Sequence, residues 1–373
     1  MANQPTNPKA WKQFHDLAGV LVKDVWRYGP ALWGSPSDQL ADGRWIYLKN
    51  RIEVLERNPH GRGVHCNWTW SSDLHACNVI PAFGRRLLQV ALQQWPITFA
   101  EAPLSSAGPQ MSFLFAHEGT DRLPHLQHVI RTIFAQRNVQ VEIVVVDLSH
   151  SPIGSQLPEN VVYQHVDTSG ITPGWRKAWA FNIAARRANG EFLVCHDGDV
   201  CIPEMYGSEL MTAFRQGYDA VSIQRFLFYL TQSTTQQVFQ DKKIPVAFPP
   251  QRVLQNFKGG TIAVTREHFF DIGGFDEGFV DWGGEDDEFY NRCGARQHLR
   301  FGYLPFVHLW HAPQHDRIKP DNLNVSLVLP RRLAIPAAER ISELYARDFG
   351  NMQRPDPHTA YKNRYAAPPL AIR

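Results

Sequence analysis

Three short polar clusters in the second half of the chain contain the side chains that could hold a metal ion and move a proton. The first is the tetrad HDGD at residues 196–199, which directly follows the apolar run 192–195. Two carboxylates one residue apart at the end of a strand can share a divalent cation such as Mg²⁺ or Mn²⁺, which prefers oxygen ligands. An isolated Asp-Gly-Asp is more often a structural turn, so other residues must decide whether this tetrad is a turn or a metal site.

The second cluster is WGGEDDE at residues 282–288, preceded by GGFD at 273–276. Four consecutive acidic side chains repel one another, but the first turn of a helix tolerates them because its dipole favours negative charge. An ordinary acidic helix start is therefore one interpretation. The other is that Glu285 or Asp286 projects into a site and accepts a proton from a hydroxyl.

The third cluster is HLWH at residues 308–311, after the apolar stretch 299–307. A single histidine is usually a satisfied polar group, whereas two at this spacing after a strand could complete a metal site begun by Asp199. Imidazole beside carboxylate oxygen favours Mn²⁺ over Ca²⁺.

Strands that alternate with helices must position these clusters. The predicted strands are 111–116, 141–147, 161–166 and 192–195, and the predicted helices are 123–136 and 174–189. This alternation predicts a Rossmann-like α/β fold with a mostly parallel central sheet flanked by helices. Ligands of such sheets bind beyond the carboxyl ends of the strands, where Asp147 and the HDGD tetrad fall.

The remaining chain predicts an appendage at each end. Apolar residues at helical spacing over residues 11–26 predict an amphipathic helix packed against the main body, and residues 95–110 read as a linker. A further helix is predicted at 337–347. We therefore expect a mostly helical or irregular N-terminal extension (1–105), a catalytic domain (106–330) and a C-terminal helix with a tail (331–373).

Bulk composition excludes several classes of protein. The 373 residues carry a net charge of +2, which gives no electrostatic footprint for nucleic acid or for an anionic membrane. We find no signal peptide and no apolar run long enough for a membrane span. Five cysteines without a disulfide spacing favour a reducing compartment, so we expect a cytoplasmic location.

A longer motif carries a specific resemblance. Residues 256–293 (NFKGGTIAVTREHFFDIGGFDEGFVDWGGEDDEFYNRC) resemble the catalytic segment of the β-1,4-galactosyltransferase family, which contains Phe-Gly-Gly, Asn-Gly-Phe and Trp-Gly-Gly-Glu-Asp-Asp-Asp. The polypeptide N-acetylgalactosaminyltransferases have a related Trp-Gly-Gly-Glu-Asn. Upstream, VEIVVVD and NGEFLVCHDGDVCIP resemble the nucleotide-binding half of family 2 glycosyltransferases. The likeness covers about residues 111–315, and residues 1–100 resemble no family that we recognise.

The resemblance implies a glycosyltransferase-A fold and a metal-dependent, inverting transfer of sugar from a nucleotide-sugar, with UDP favoured. The acceptor would be a glycan or another molecule with a free hydroxyl. Asp199 and His311 match the family's ligands for Mn²⁺ or Mg²⁺, while His308 stands where the galactosyltransferases have a methionine ligand. That departure leaves the metal preference open.

The resemblance also assigns catalytic and donor-binding roles. Asp286 matches the proposed catalytic base and Glu285 an acceptor-binding carboxylate. The residues that match donor contacts are Asp147, Asp197, Gly260 and Trp282, the last on a mobile loop. Arg122 and Lys177 are candidates for nucleobase or diphosphate contacts, or are ordinary surface cations. The polar segment 312–324 is placed to act as a lid ordered by the donor.

Three alternatives remain at this stage. A retaining transferase of the same fold is one, although Asp286 stands where such enzymes have asparagine. A nucleotidyltransferase would need a glycine-rich phosphate loop, and HEGT at residues 117–120 is not one. A catalytically inactive sugar-binding protein would need neither the carboxylates nor His311.

Overall fold

The computed structural model describes residues 8–34, 43–67, 71–103, 108–171, 173–312 and 322–353. Within these ranges the α-helices are α1 (Pro8–Lys23), α2 (Val25–Trp33), α3 (His75–Val79), α4 (Pro81–Gln94), α5 (Leu123–Phe134), α6 (Lys177–Arg187), α7 (Tyr206–Arg215), α8 (Gln232–Asp241), α9 (Arg266–Asp271), α10 (Glu285–Cys293), α11 (Leu329–Leu333) and α12 (Ala337–Tyr345). The strands are β1 (Leu55–Arg57), β2 (Val64–Cys66), β3 (Ser72–Asp73), β4 (Met111–His117), β5 (Val141–Asp147), β6 (Val161–His165), β7 (Phe192–His196), β8 (Val200–Cys201), β9 (Ala220–Val221), β10 (Gln224–Tyr229), β11 (Arg252–Gln255), β12 (Thr261–Thr265), β13 (His298–Leu299) and β14 (Leu304–His308).

A seven-stranded sheet in the order β13-β9-β12-β7-β4-β5-β6 forms the centre of the fold. Strands β7, β4, β5 and β6 are mutually parallel, and β12 joins β7 in the antiparallel sense. The buried strands β4 and β5 read as near-continuous apolar runs, as expected where helices cover both faces. The predicted α/β fold with a mostly parallel, helix-flanked sheet is therefore confirmed.

A second, five-stranded sheet was not predicted; its order is β3-β11-β10-β14-β8. Strands β10 and β14 run parallel, so their last residues, Tyr229 and His308, lie side by side. Strands β3 and β8 have only two residues each. Such short strands are too brief to show the alternation that a sequence pattern needs.

The N-terminal segment shares its hydrophobic core with the rest of the protein. Fully buried Leu87 and Leu88 of α4 belong to the same apolar cluster as Phe113 of β4 and Phe306 of β14. The buried Arg225 guanidinium donates to the carbonyl of Ile46 at 2.6 Å, which also ties the two parts together. The division at residue 105 stays a prediction about domains, and packing is continuous across it.

The prediction that α1 packs its apolar stripe on the main body is wrong. Trp11 and Phe14 are 64% and 63% exposed, and Leu17, Leu21 and Val25 are exposed as well. The opposite face makes the contact through fully buried Val20. Helical periodicity identifies an apolar face but does not say which neighbour covers it.

Other end-of-chain predictions have mixed outcomes. The helix predicted at 337–347 is observed as α12, whereas the tail beyond residue 353 lies outside the described residues.

Among the described helices, none combines the length and apolarity needed to cross a bilayer. All five cysteines are buried and unpaired. The cytoplasmic location stays a prediction.

Candidate active site

A cleft of about 770 Å³ lies beyond the carboxyl ends of β4 and β7, and residues of all three polar clusters line it. Asp199 comes from the HDGD tetrad, Asp286 from the acidic cluster and His311 from the third cluster. Residues separated by more than 100 positions in the sequence thus share one cavity.

Asp199, His308 and His311 form a group that could hold a metal ion, with one ligand atom from each within 4.8 Å of the others. Strand pairing places them there, because β8 runs antiparallel to β14 with Val200 opposite His308. The Asp199 carboxylate lies 3.6 Å from His308 Nε2 and 3.2 Å from His311 Nε2. The second aspartate of the HDGD tetrad therefore contacts both histidines.

The chemistry of this group fits a divalent cation. His308 Nδ1 is buried without a hydrogen-bond partner, and burial lowers the pKa of His308 to about 4, which keeps the imidazole neutral and able to ligate. Burial would raise the pKa of Asp199, but His308, His311 and Arg122 outweigh it and lower that pKa. One carboxylate and two imidazoles are a donor set that can ligate a divalent transition-metal ion.

Arg122 contacts the same group. Its Nη1 lies 3.3 Å from Asp199 Oδ2, and its Nη2 lies 3.0 Å from His311 Nδ1. Arg122 immediately precedes α5 and lines the cleft. It is therefore part of the site and not an ordinary surface cation.

The acidic cluster begins α10, which has Glu285, Asp286, Asp287 and Glu288 in its first turn. Gly284 before it has φ 92°, and a Cβ there would lie 2.7 Å from the Phe279 ring. Only glycine accommodates both conditions without strain. The interpretation of this cluster as a helix start is confirmed, and the same turn lines the cleft.

Lys177, the first residue of α6, connects the tetrad to the acidic helix start. Its Nζ lies 2.9 Å from Asp197 Oδ1, 3.3 Å from Glu285 Oε1 and 2.9 Å from Asp286 Oδ2. Burial would lower the pKa of Lys177, but these carboxylates outweigh it and raise that pKa well above its usual value. Lys177 is thus a permanent cation in the cleft.

Three carboxylates around one ammonium leave an excess of negative charge. Burial, Glu285 and Asp197 together outweigh Lys177 and raise the pKa of Asp286. Glu285 Oε2 is buried without a hydrogen-bond partner. A carboxylate whose pKa lies closer to neutral pH holds a proton more readily than an ordinary aspartate does. This property suits a general base.

Gly260 and Trp282 also line the cleft. Gly260 has φ 87°, and its carbonyl accepts from the Asp197 amide at 2.9 Å. The carbonyl of Trp282 accepts from Asn322 Nδ2 at 2.9 Å. Residues 313–321, most of the predicted lid, lie outside the described residues.

Asp147 does not reach the cleft, contrary to the expectation that it contacts a donor there. It is fully buried, and its oxygens accept from Ser149 N at 2.9 Å, Ile153 N at 3.1 Å and Tyr163 Oη at 2.6 Å. Through these hydrogen bonds the Asp147 carboxylate fixes the loop after β5. A carboxylate at a strand end can cap a loop as readily as it can bind a ligand.

Several lining residues were not predicted from the sequence, among them Ser71, Asp73, Trp175 and Arg252. Strand β10 buries Phe226 and Phe228 in the core. Tyr229 instead stacks on His308, with ring centroids 4.2 Å apart. Only the parallel pairing of β10 with β14 reveals this contact.

Two protein-family models match overlapping parts of the chain. The model of glycosyl transferase family 2 matches residues 121–271, and the model described as the N-terminal domain of galactosyltransferase matches residues 247–311. No curated protein matches the chain.

The chain is also similar to solved structures of Drosophila β1,4-galactosyltransferase 7. The catalytic domain with xylobiose is 18% identical (TM-score 0.33), and a mutant with manganese, UDP-Gal and xylobiose is 16% identical (TM-score 0.34). Each comparison covers 54% of this chain and 71% of the other.

The family matches and the cleft at the sheet's carboxyl edge define the class of protein. It is a glycosyltransferase of the glycosyltransferase-A fold, in which residues 121–271 match family 2 and residues 247–311 match the galactosyltransferase model. The expectation that the chain is an enzyme of this class is confirmed.

Proposed function

We propose that the protein is a Mn²⁺-dependent, inverting glycosyltransferase that moves a sugar from a UDP-sugar to an acceptor hydroxyl. One observation carries the proposal: the group Asp199, His308 and His311 and the acidic start of α10 line a single cleft. A metal-ligand set and a base in one cavity are what metal-dependent sugar transfer from a nucleotide-sugar requires.

The cationic side chains of the cleft favour a diphosphate. Arg122 and Lys177 both line it, and each is already held by carboxylates of the site. A cation bound by Asp199, His308 and His311 would stabilise the negative charge that grows on the leaving diphosphate. UDP as the nucleotide rests on the resemblance to the galactosyltransferases.

Asp286 is the proposed base. The acceptor oxygen bonds to the anomeric carbon while the bond from that carbon to the diphosphate breaks, and the acceptor proton passes to the Asp286 carboxylate. Attack from the face opposite the leaving group inverts the anomeric configuration. Lys177, 2.9 Å from Asp286 Oδ2, orients the carboxylate, and Glu285 beside it is the proposed acceptor-binding group.

Metal-dependent turnover of the donor tests the proposal. We expect the purified protein to release UDP from at least one of UDP-galactose, UDP-glucose and their N-acetylhexosamine analogues when Mn²⁺ is present. Asp199→Ala should abolish this release and weaken Mn²⁺ binding measured by calorimetry, since it removes the shared carboxylate ligand. The anomer of the product, read by NMR, distinguishes inversion from retention.

Two results would contradict the proposal. One is UDP release by Asp199→Ala at the wild-type rate with normal folding, and the other is a product that retains the donor configuration. Asp348→Asn is a suitable control, since this exposed carboxylate pairs with Arg186 and neither residue lines the cleft.

A further inference from the structure

Strand β3 brings residues from the N-terminal segment into the cleft. Ser71 and Asp73 line it, although they precede the first matched residue by about 50 positions. Strand β3 pairs antiparallel with β11, with Asp73 opposite Leu254, and Ser71 Oγ donates to the Asn256 carbonyl at 3.3 Å. One wall of the cleft is therefore built jointly by the N-terminal segment and the transferase fold.

A buried carboxylate fixes this joint wall. Glu53 is 2% exposed and accepts hydrogen bonds from Asn50 N at 3.0 Å, from Ser72 Oγ at 2.5 Å and from Gln255 Nε2. Asn50 Nδ2 also donates to the Asp73 carbonyl at 2.9 Å. Such a satisfied polar network rigidifies the strand it holds, so the two lining side chains have a defined position.

Asp73 and Arg252 form a polar pair on this wall. Arg252 Nε lies 3.5 Å from Asp73 Oδ1 and is buried without a hydrogen-bond partner. The guanidinium lies over the Tyr229 ring, 4.3 Å from its centroid, and the same ring stacks on His308. Arg252 is therefore held against Tyr229, which in turn packs on His308 of the metal group, with a donor and a neighbouring acceptor beside the cavity.

The wall leads directly to the proposed base. The chain runs from Arg252 through Asn256 to Gly259, and a Cβ on Gly259 would lie 2.7 Å from Asp286 Oδ2. An acceptor hydroxyl must come within hydrogen-bond reach of its base. A bound acceptor would thus extend from Asp286 along this wall toward Asp73.

We propose that Ser71, Asp73 and Arg252 form an acceptor subsite that selects an uncharged, hydroxyl-rich glycan; this rests on the proposed transferase function. Along the wall each charged side chain of the described residues has an opposite partner, Asp73 with Arg252 and Lys258 with Asp287 at 2.9 Å. A balanced pair offers both donors and acceptors to sugar hydroxyls but no net charge to an anionic acceptor.

Isosteric removal of the carboxylate tests the subsite. The probes are p-nitrophenyl β-glucoside and β-xyloside as neutral acceptors and p-nitrophenyl β-glucuronide as the anionic one, each with the UDP-sugar that wild type hydrolyses. Asp73→Asn should raise KM for the neutral acceptors about tenfold or more, because a hydrogen bond to a charged group is lost. The change in acceptor KM should exceed any change in donor hydrolysis without acceptor, and Ser71→Ala should give a smaller change in the same direction.

The controls separate the outcomes. Glu267→Gln removes a carboxylate from a comparable exposed pair with Arg296, 3.1 Å apart, and should leave every constant unchanged. An unchanged acceptor KM in Asp73→Asn, or wild-type preference for the glucuronide, would overturn the subsite. Loss of donor hydrolysis in both Asp73→Asn and Ser71→Ala would also overturn the subsite. The same holds if the wild-type protein hydrolyses the donor but neither binds nor glycosylates the neutral glycosides. A wild type without any donor hydrolysis or transfer would instead refute the proposed function.

Discussion

Two aspartates of the cleft have pKa values that are shifted in opposite directions. Asp199 sits among cations and imidazoles that lower its pKa, which suits its proposed role as a metal ligand. Asp286 sits where burial and two like charges outweigh Lys177, so its pKa is raised. The opposite shifts arise because the neighbours of the two carboxylates differ, and they match the two proposed roles.

The raised pKa of Asp286 makes a prediction about activity and pH. A base must be ionised to accept a proton, so kcat/KM for the acceptor should rise with pH through a pKa clearly above the ordinary aspartate value of about 3.9. Asp286→Asn should lower kcat about 10²–10⁴-fold with UDP–Mn²⁺ affinity retained. Initial rates across a pH series and calorimetric titration measure the two effects.

Asp348→Asn provides the matched control and should keep the wild-type pH profile. A profile that stays flat down to the ordinary aspartate pKa, or full transfer activity in Asp286→Asn, would remove Asp286 from the role of base.

At the scale of elements, helix α10 carries Asp286, the proposed base, and a buried ion cluster anchors this helix to α12. Glu288 and Arg292 are fully buried, with Arg292 Nη2 2.7 Å from Glu288 Oε2, and Arg340 of α12 donates to the other oxygen of the same carboxylate. Burial would raise the pKa of Glu288, but both guanidiniums outweigh it and lower that pKa. The helix that presents Asp286 is thus fixed from its far side.

Glu288→Gln should destabilise the protein by about 3–5 kcal/mol, because two buried guanidiniums lose their counter-charge. Urea unfolding at neutral pH measures this loss. Since the folded-state pKa of Glu288 is lowered, its contribution is present at neutral pH and is lost as the pH falls below the unfolded value of about 4.3. The difference between variant and wild type should therefore shrink on acidification.

Glu339→Gln, an exposed change on α12, is the control and should shift stability by less than about 0.5 kcal/mol. A Glu288→Gln protein as stable as this control would mean that the cluster does not anchor α10.

At the scale of the whole molecule, the N-terminal segment and the transferase fold are joined by apolar packing and by polar contacts. Leu87 packs in the core shared with β4 and β14, and Arg225 donates to main-chain carbonyls of residues 46 and 48. The same segment supplies Ser71 and Asp73 to the cleft. Its contribution to the wall depends on that shared core.

Leu87→Ala should lower the free energy of unfolding by about 2–5 kcal/mol and leave a single cooperative transition, because the cavity opens in the common core. Tryptophan fluorescence and far-UV circular dichroism during urea unfolding should give the same midpoint. Leu17→Ala, at a position 40% exposed, should change little. Two separate transitions would show instead that the N-terminal segment unfolds as its own unit.

The sequence by itself determined the α/β alternation, the boundaries of β4, β5 and β7, and the three clusters that meet in the cleft. Apolar runs of five to seven residues and acidic helix starts are local signals, and local physics is enough to read them. The resemblance over residues 256–293 added the class of chemistry.

Tertiary structure alone decided which of these residues meet. Asp147 and Asp199 both follow strands in the sequence, yet the first is used by its own loop and the second is paired by β8 with the end of β14. Strand β3 and the position of Tyr229 depend on pairings between segments far apart in the chain. A strand's partner is fixed by the packing of the whole core, and no local pattern carries that information.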